Sequence, residues 1–195
     1  MPVLVVDDAS TAADLARALV VGGLPALEVT LRTPAALDVI RAMSAVDGGV
    51  VGAGTLMTPD DVYAAKEAGA LFGVSPGATD RILDAAEEVG LPMLPGAATA
   101  SEVMRLLERG YTMLKFFPAE ASGGAPALGA FSGPIPQVTF CPTGGVGLHN
   151  VDAYLALPNT VCVGGSWVAP SNMLANADWD GIQKLATEAA HLSVA

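Results

Sequence analysis

Eight short apolar runs recur along this chain at an almost constant interval, and no other feature restricts its fold so strongly. They begin near Pro2, Ala26, Val50, Leu71, Pro92, Met113, Gln137 and Val161, with starts about 21 to 24 residues apart. Each run is rich in Val, Leu, Phe or Met and nearly continuous rather than alternating, which predicts strands buried on both faces, as in a parallel sheet covered by helices. The segments between them carry helix signals. Ser10 or Thr11 can cap a first helix whose apolar face is Ala13, Leu15, Ala18, Leu19 and Val20, before Gly22-Gly23 ends it. Thr33-Pro34 and Thr58-Pro59 each supply a hydroxyl N-cap followed by proline at the first helical position. Thr99 with Glu102 fits a capping box, and Gly69, Gly90 and Gly110 sit where helix C-caps belong. A weaker helix is expected from Pro126 to Phe131, with others near Asn150 to Ala156 and Asp180 to Ala190. Eight strand-helix repeats without a linker predict an α/β fold, a closed (β/α)8 TIM barrel forming a single domain over residues 1–195. An open doubly wound sheet is the alternative.

Charge and composition narrow the partners. A net charge of −11 repels a phosphate backbone and an anionic membrane surface alike, so no nucleic acid or membrane partner is expected. Although 52% of residues are hydrophobic, Gly, Pro or a charge interrupts every apolar stretch before it reaches spanning length. The segment Met1-Pro2-Val3-Leu4-Val5-Val6-Asp7-Asp8 lacks a basic region and turns acidic too early for a signal peptide, which predicts a cytoplasmic protein. Cys141 and Cys162 fall in predicted buried strands without metal-ligand spacing and read as reduced core thiols. His149 lies in a loop and His191 near the terminus, so no carboxylate-histidine cluster suits a metal. Trp167 and Trp179 read as packing residues.

The residues that break the apolar pattern are the candidates for chemistry. Lys115 stands inside Leu114-Lys115-Phe116-Phe117-Pro118-Ala119-Glu120, whereas Lys66 and Lys184 lie on predicted surface helices. A lysine among apolar groups tends to lose its charge, and a neutral amine is a nucleophile for a carbonyl carbon. A snorkelling side chain or a structural ion pair would also fit that stretch. Strand two puts Glu28, Thr30 and Arg32 on one parity, and strand six does the same for Met113, Lys115 and Phe117. If both sets face inward, Glu28 and Lys115 can meet in the upper layer of the barrel, where strand C-termini build active sites. Strand three ends in Gly52-Ala53-Gly54-Thr55, leaving room near the axis and a hydroxyl at the rim. The turns Thr143-Gly144-Gly145 and Gly164-Gly165-Ser166 close strands seven and eight, and backbone N–H groups there, with Ser166 opening a short helix, can hold a phosphate. Ser75-Pro76-Gly77 narrows the mouth.

Glu28-Val29-Thr30-Leu31-Arg32-Thr33, Gly52-Ala53-Gly54-Thr55, Ser75-Pro76-Gly77, Lys115-Phe116-Phe117-Pro118-Ala119-Glu120, Pro142-Thr143-Gly144-Gly145 and Gly164-Gly165-Ser166-Trp167 together resemble the 2-keto-3-deoxy-6-phosphogluconate (KDPG) aldolase family. That family overlaps with the 4-hydroxy-2-oxoglutarate (KHG) aldolases, and the resemblance covers nearly the whole chain in order. It implies a class I aldolase of the Entner-Doudoroff pathway that cleaves 2-dehydro-3-deoxy-6-phosphogluconate to pyruvate and glyceraldehyde 3-phosphate. Lys115 would form the Schiff base and Glu28 would carry protons. Arg32 and Thr55 would hold the pyruvyl carboxylate, and Thr143, Gly144, Gly145, Gly165 and Ser166 the phosphate. Phe117 and Pro76 would form the pocket wall. The resemblance further implies no metal or other cofactor, and a homotrimer. Many relatives carry a short helix before strand one, and this chain begins almost directly with that strand. Two substrate alternatives keep the mechanism: 4-hydroxy-2-oxoglutarate and the phosphogalactonate epimer. A metal-assisted enolate enzyme would need clustered acidic residues at strand ends, where only Glu28 stands. A non-catalytic scaffold would fit loss of the lysine or the glutamate, and both are present.

Overall fold

A computed structural model describes residues 1–192; the last three residues of the predicted 1–195 domain lie outside the described residues. The strands are β1 (Val3–Leu4), β2 (Ala26–Thr30), β3 (Val50–Gly54), β4 (Phe72–Val74), β5 (Met93–Leu94), β6 (Gly96–Ala97), β7 (Met113–Phe116) and β8 (Thr139–Pro142). The helices are α1 (Ala12–Val21), α2 (Ala36–Ser44), α3 (Pro59–Glu67), α4 (Asp80–Glu88), α5 (Ala100–Glu108), α6 (Gly124–Gly129), α7 (Val151–Leu155), α8 (Ser171–Ala175) and α9 (Trp179–Ala190). β1 to β5 form one parallel sheet and β6 to β8 another.

Two irregularities join these sheets into one ring. The run expected from Pro92 is a single stave broken at Pro95, which has no N–H to give to a ladder. Its first half pairs with β4 and its second with β7, and the Pro95 carbonyl accepts from Lys115 N at 2.9 Å. The run expected from Val161 forms no ladder; it makes three parallel bridges, Phe140 to Thr160, Thr143 to Gly164, and Pro2 to Gly165. The first two bridges are three residues apart on β8 and four apart on the partner, a bulge that interrupts regular pairing. Val3 N donates to Gly165 O at 2.9 Å and Gly165 N to Met1 O at 3.1 Å. The ring is therefore closed, as a barrel requires, and the open-sheet alternative falls.

Apolar side chains fill both sides of the barrel wall. Val74, Leu94 and Cys141 form an inner cluster with Met1, Phe72 and Cys162. Two larger clusters lie between wall and helices, one under α1 to α4 and α9, the other under α5 to α7. Both cysteines are free, Cys141 buried and Cys162 half-buried. Gly52 leaves the space that the Phe72 ring occupies, since a Cβ there would lie 2.3 Å from it.

Local signals placed some helix ends and misplaced others. Thr58 and Asp61 form a capping box behind Pro59, and Thr99 and Glu102 form another. The backbone N–H of Ala98 and the Thr99 cap hold the Glu102 carboxyl below its usual pKa. Thr33, by contrast, does not cap α2: its hydroxyl donates to Val6 O at 2.7 Å, and the helix starts at Ala36. Asp8, rather than Ser10 or Thr11, supplies the first side-chain cap, accepting from Ser10 N ahead of a single 3-10 turn. The weak helix expected from Pro126 to Phe131 runs from Gly124 to Gly129.

Candidate active site

Parity along β2 and β7 does most of the positioning. The parallel register pairs Glu28 with Gly52 and Lys115 with both Gly96 and Cys141. Glycine at 54 opens the wall beside Glu28, since a Cβ there would lie 2.3 Å from Glu28 Oε1. In that space Lys115 Nζ donates to Glu28 Oε1 at 3.1 Å. The two side chains are only 4% and 0% exposed. Two charges at this depth persist only as a pair with further hydrogen bonds, and such a pair adds little net stability over apolar residues of the same volume. Glu28 Oε2 is also buried and has no partner among the described residues.

Above the pair the barrel opens into a cleft of about 280 Å³. Arg32, Phe117, Thr143, Gly144, Gly145, Gly165 and Ser166 line it, joined by Val3 and Val5. Phe117 links the two levels, because Lys115 Nζ lies 5.3 Å from its ring centroid, within cation–π range. Arg32 Nε donates to Thr55 Oγ1 at 3.2 Å, and the guanidinium makes no ion pair among the described residues. Its charge is free for an anion in a strongly acidic molecule. Thr55 has φ of 63°, a left-handed conformation that costs a β-branched residue about 1–3 kcal/mol and is found chiefly where function requires it.

The expected phosphate turns differ from each other. Gly144 and Gly145 both have positive φ, at 98° and 80°. Among the described residues, the N–H groups of Gly144, Gly145, Val146 and Ser166 have no acceptor. Gly165 cannot serve as a donor, since its N–H closes the ring to Met1 O. It is glycine for a packing reason, as a Cβ there would run into the Trp167 ring at 1.8 Å. Nor does Ser166 open a helix: it starts one isolated turn, and α8 begins only at Ser171. The donor set is thus a short row of N–H groups from 144 to 146, without acceptors among the described residues, in the same cleft lining as the exposed Ser166, with Val146 an addition that the glycine pattern did not reveal. Pro76 lies outside the cleft lining; its carbonyl fills the space beside Gly96.

Residues further back hold this arrangement and escaped the sequence reading. Asn150, expected only as a helix start, reaches back to the glycine turn, and Glu120, the last residue of the lysine motif, meets Tyr154. Among the described residues no three His, Cys, Asp or Glu side chains come together as a metal site would need.

A lysine and a carboxylate buried side by side beneath a donor-lined mouth, at the C-terminal end of a parallel barrel, are what a lyase of the Schiff-base type requires. The comparisons with known proteins agree. A family model described as KDPG and KHG aldolase matches residues 1–185. The 2-dehydro-3-deoxy-phosphogluconate aldolase of Pseudoalteromonas atlantica is 49% identical over 190 residues, covering 97% of this chain and 88% of that protein. The crystal structure of the Zymomonas mobilis 2-keto-3-deoxy-6-phosphogluconate aldolase with 3-phosphoglycerate superposes with a TM-score of 0.95 at 47% identity, covering 100% and 92% of the two chains. That of the Legionella pneumophila KDPG aldolase, with pyruvate captured as a covalent carbinolamine, gives 0.93 at 44%, covering 96% and 92%. The chain belongs to the KDPG and KHG aldolase family and is an aldolase.

Proposed function

We propose that this enzyme reversibly cleaves 2-dehydro-3-deoxy-6-phosphogluconate to pyruvate and glyceraldehyde 3-phosphate through an imine on Lys115. The observation that carries the reading is the 3.1 Å contact between Lys115 Nζ and Glu28 Oε1, buried beneath the cleft. The neutral amine attacks C2 of the keto acid, and the carbinolamine loses water to give a protonated imine. A base then removes the C4 hydroxyl proton, the C3–C4 bond breaks, and its electron pair moves into the imine as an enamine while the aldehyde leaves. Protonation at C3 and hydrolysis release pyruvate and regenerate the amine. Glu28 moves these protons, with Oε1 oriented by Lys115 and Oε2 free to carry them. The protonated imine is the electron sink, so no metal or organic cofactor is called for. Arg32 and Thr55 take the carboxylate, and the N–H row from Gly144 to Val146 with Ser166 takes the phosphate, while Phe117 walls the pocket. The covalent carbinolamine of pyruvate in the Legionella enzyme and the 3-phosphoglycerate present with the Zymomonas enzyme support imine chemistry and a phosphorylated ligand.

The family name includes KHG aldolases, so the aldehyde half is what needs testing. Measured kcat/KM should be highest for 2-dehydro-3-deoxy-6-phosphogluconate, lower for its galactonate epimer, and lowest for unphosphorylated 4-hydroxy-2-oxoglutarate. An equal or higher value for the last would assign the enzyme to that substrate instead. Cytoplasmic location and the homotrimer implied by the family belong to the same reading; among the described residues no helix is long and apolar enough to cross a membrane. Light scattering should give about three times the 19.6 kDa chain mass, and a monomeric mass would remove the trimer.

A further inference from the structure

The glycine turn between β8 and α7 presents three consecutive N–H groups only because its carbonyls are held elsewhere. Glu120 N donates to Gly144 O at 3.1 Å. Asn150 Nδ2 donates to Gly145 O at 3.1 Å, while Asn150 Oδ1 accepts from Gly147 N at 2.9 Å. One side-chain amide therefore spans the turn and fixes the orientation of its peptides. Two left-handed glycines have much freedom to flip a peptide, and a flip would aim a carbonyl at the anion in place of an N–H. The Glu120 side chain supports the turn from the other side, its Cγ lying 2.6 Å from where a Gly145 Cβ would be. Its carboxylate accepts from the hydroxyl of Tyr154, which is 1% exposed and packed in the core under α7. Burial, and then this hydrogen bond, push the Tyr154 hydroxyl pKa upward, so it stays a donor. None of Asn150, Glu120 and Tyr154 lines the cleft.

We infer that Asn150 and the Glu120–Tyr154 pair are positioning residues that set the preference of this enzyme for phosphorylated substrates. The inference rests on the aldolase reading for the identity of the phosphorylated ligand, and its test uses a separate probe, sn-glycerol 3-phosphate, followed by calorimetry. Asn150→Ala should weaken binding of the probe about tenfold and raise KM for 2-dehydro-3-deoxy-6-phosphogluconate by a similar factor. It should leave kcat, and KM for 4-hydroxy-2-oxoglutarate, within about twofold. Tyr154→Phe, which removes one oxygen and keeps the ring in the core, should act in the same direction, as should Glu120→Ala. Glu120→Gln, still an acceptor for Tyr154, should restore most of the affinity. Equal losses on both substrates, or probe binding unchanged in both Asn150→Ala and Tyr154→Phe, would overturn the inference. Borohydride trapping of pyruvate separates the two readings. Trapping with unchanged probe binding sinks the positioning role alone; selective loss of probe binding without any trapping supports the positioning role and sinks the proposed imine on Lys115.

Discussion

Borohydride added to the enzyme with pyruvate is expected to leave a reduced pyruvyl group on Lys115 and on neither other lysine. Lys66 is exposed on α3, where Nζ donates to Gly90 O at 3.3 Å, and Lys184 is exposed on α9. Lys115 is set apart by burial, by the aromatic face of Phe117, and by a carboxylate that can exchange a proton with it. Lys115→Met keeps the volume and removes the amine, and should lower kcat on the order of 10⁴-fold or more. It also strands Glu28 without its cation, at a cost of about 3–5 kcal/mol in stability. The double variant Lys115→Met, Glu28→Gln should recover much of that loss while staying inactive. Mass spectrometry that found the label on Lys66 or Lys184 would end the assignment.

Glu28→Gln should lower kcat on the order of 10²-fold or more while changing pyruvate binding far less. The substitution keeps the shape that Gly54 accommodates and keeps a carbonyl oxygen to accept from Lys115, so the geometry is expected to survive. What it removes is the capacity to carry a proton. Oε2, buried and unpartnered among the described residues, is the atom that loses this capacity. If kcat held and only Tm moved, Glu28 would be a structural partner of Lys115 and the proton carrier would lie elsewhere.

Most of the fold was legible because the apolar runs are continuous and the interval between them is regular. Thr58 was legible as a cap from the proline that follows it, and Thr99 from Glu102 three residues on; Asp61 completes the Thr58 box in the structure. Thr33 carried the same Thr-Pro signal as Thr58 but has Ala36 where Thr58 has Asp61, and the Val6 carbonyl, remote in sequence, captures its hydroxyl. The break at Pro95 and the bulge before Gly164 were hidden for the same reason, since a run of apolar residues does not say which neighbour each one pairs with. Glu28 and Lys115 stood out as charges in apolar strands. Asn150, Glu120 and Tyr154 did not, because each is unremarkable in its own segment and acquires its role only through contacts across the α7 side of the barrel. The glycines of the last two turns were legible as a pair, yet sequence could not tell that Gly165 spends its N–H on closing the ring.

That closure has a kinetic meaning. Met1 N donates to Val163 O across 162 residues, and neighbouring bonds join Met1 and Val3 to Gly165. Each earlier stave meets a neighbour that follows it by one repeat, so chain entropy is spent in small steps along the ring, whereas the last seam demands the whole length at once. The apolar staves can assemble in sequence, and Lys115 can find Glu28 across 87 residues before the two ends of the chain meet. Val3, Gly165 and Ser166 border the cleft on both sides of that seam. An arc of barrel that has not yet closed can therefore already possess its nucleophile and its row of N–H groups, while the cleft still stands open on the side that Val3 and Val5 will wall.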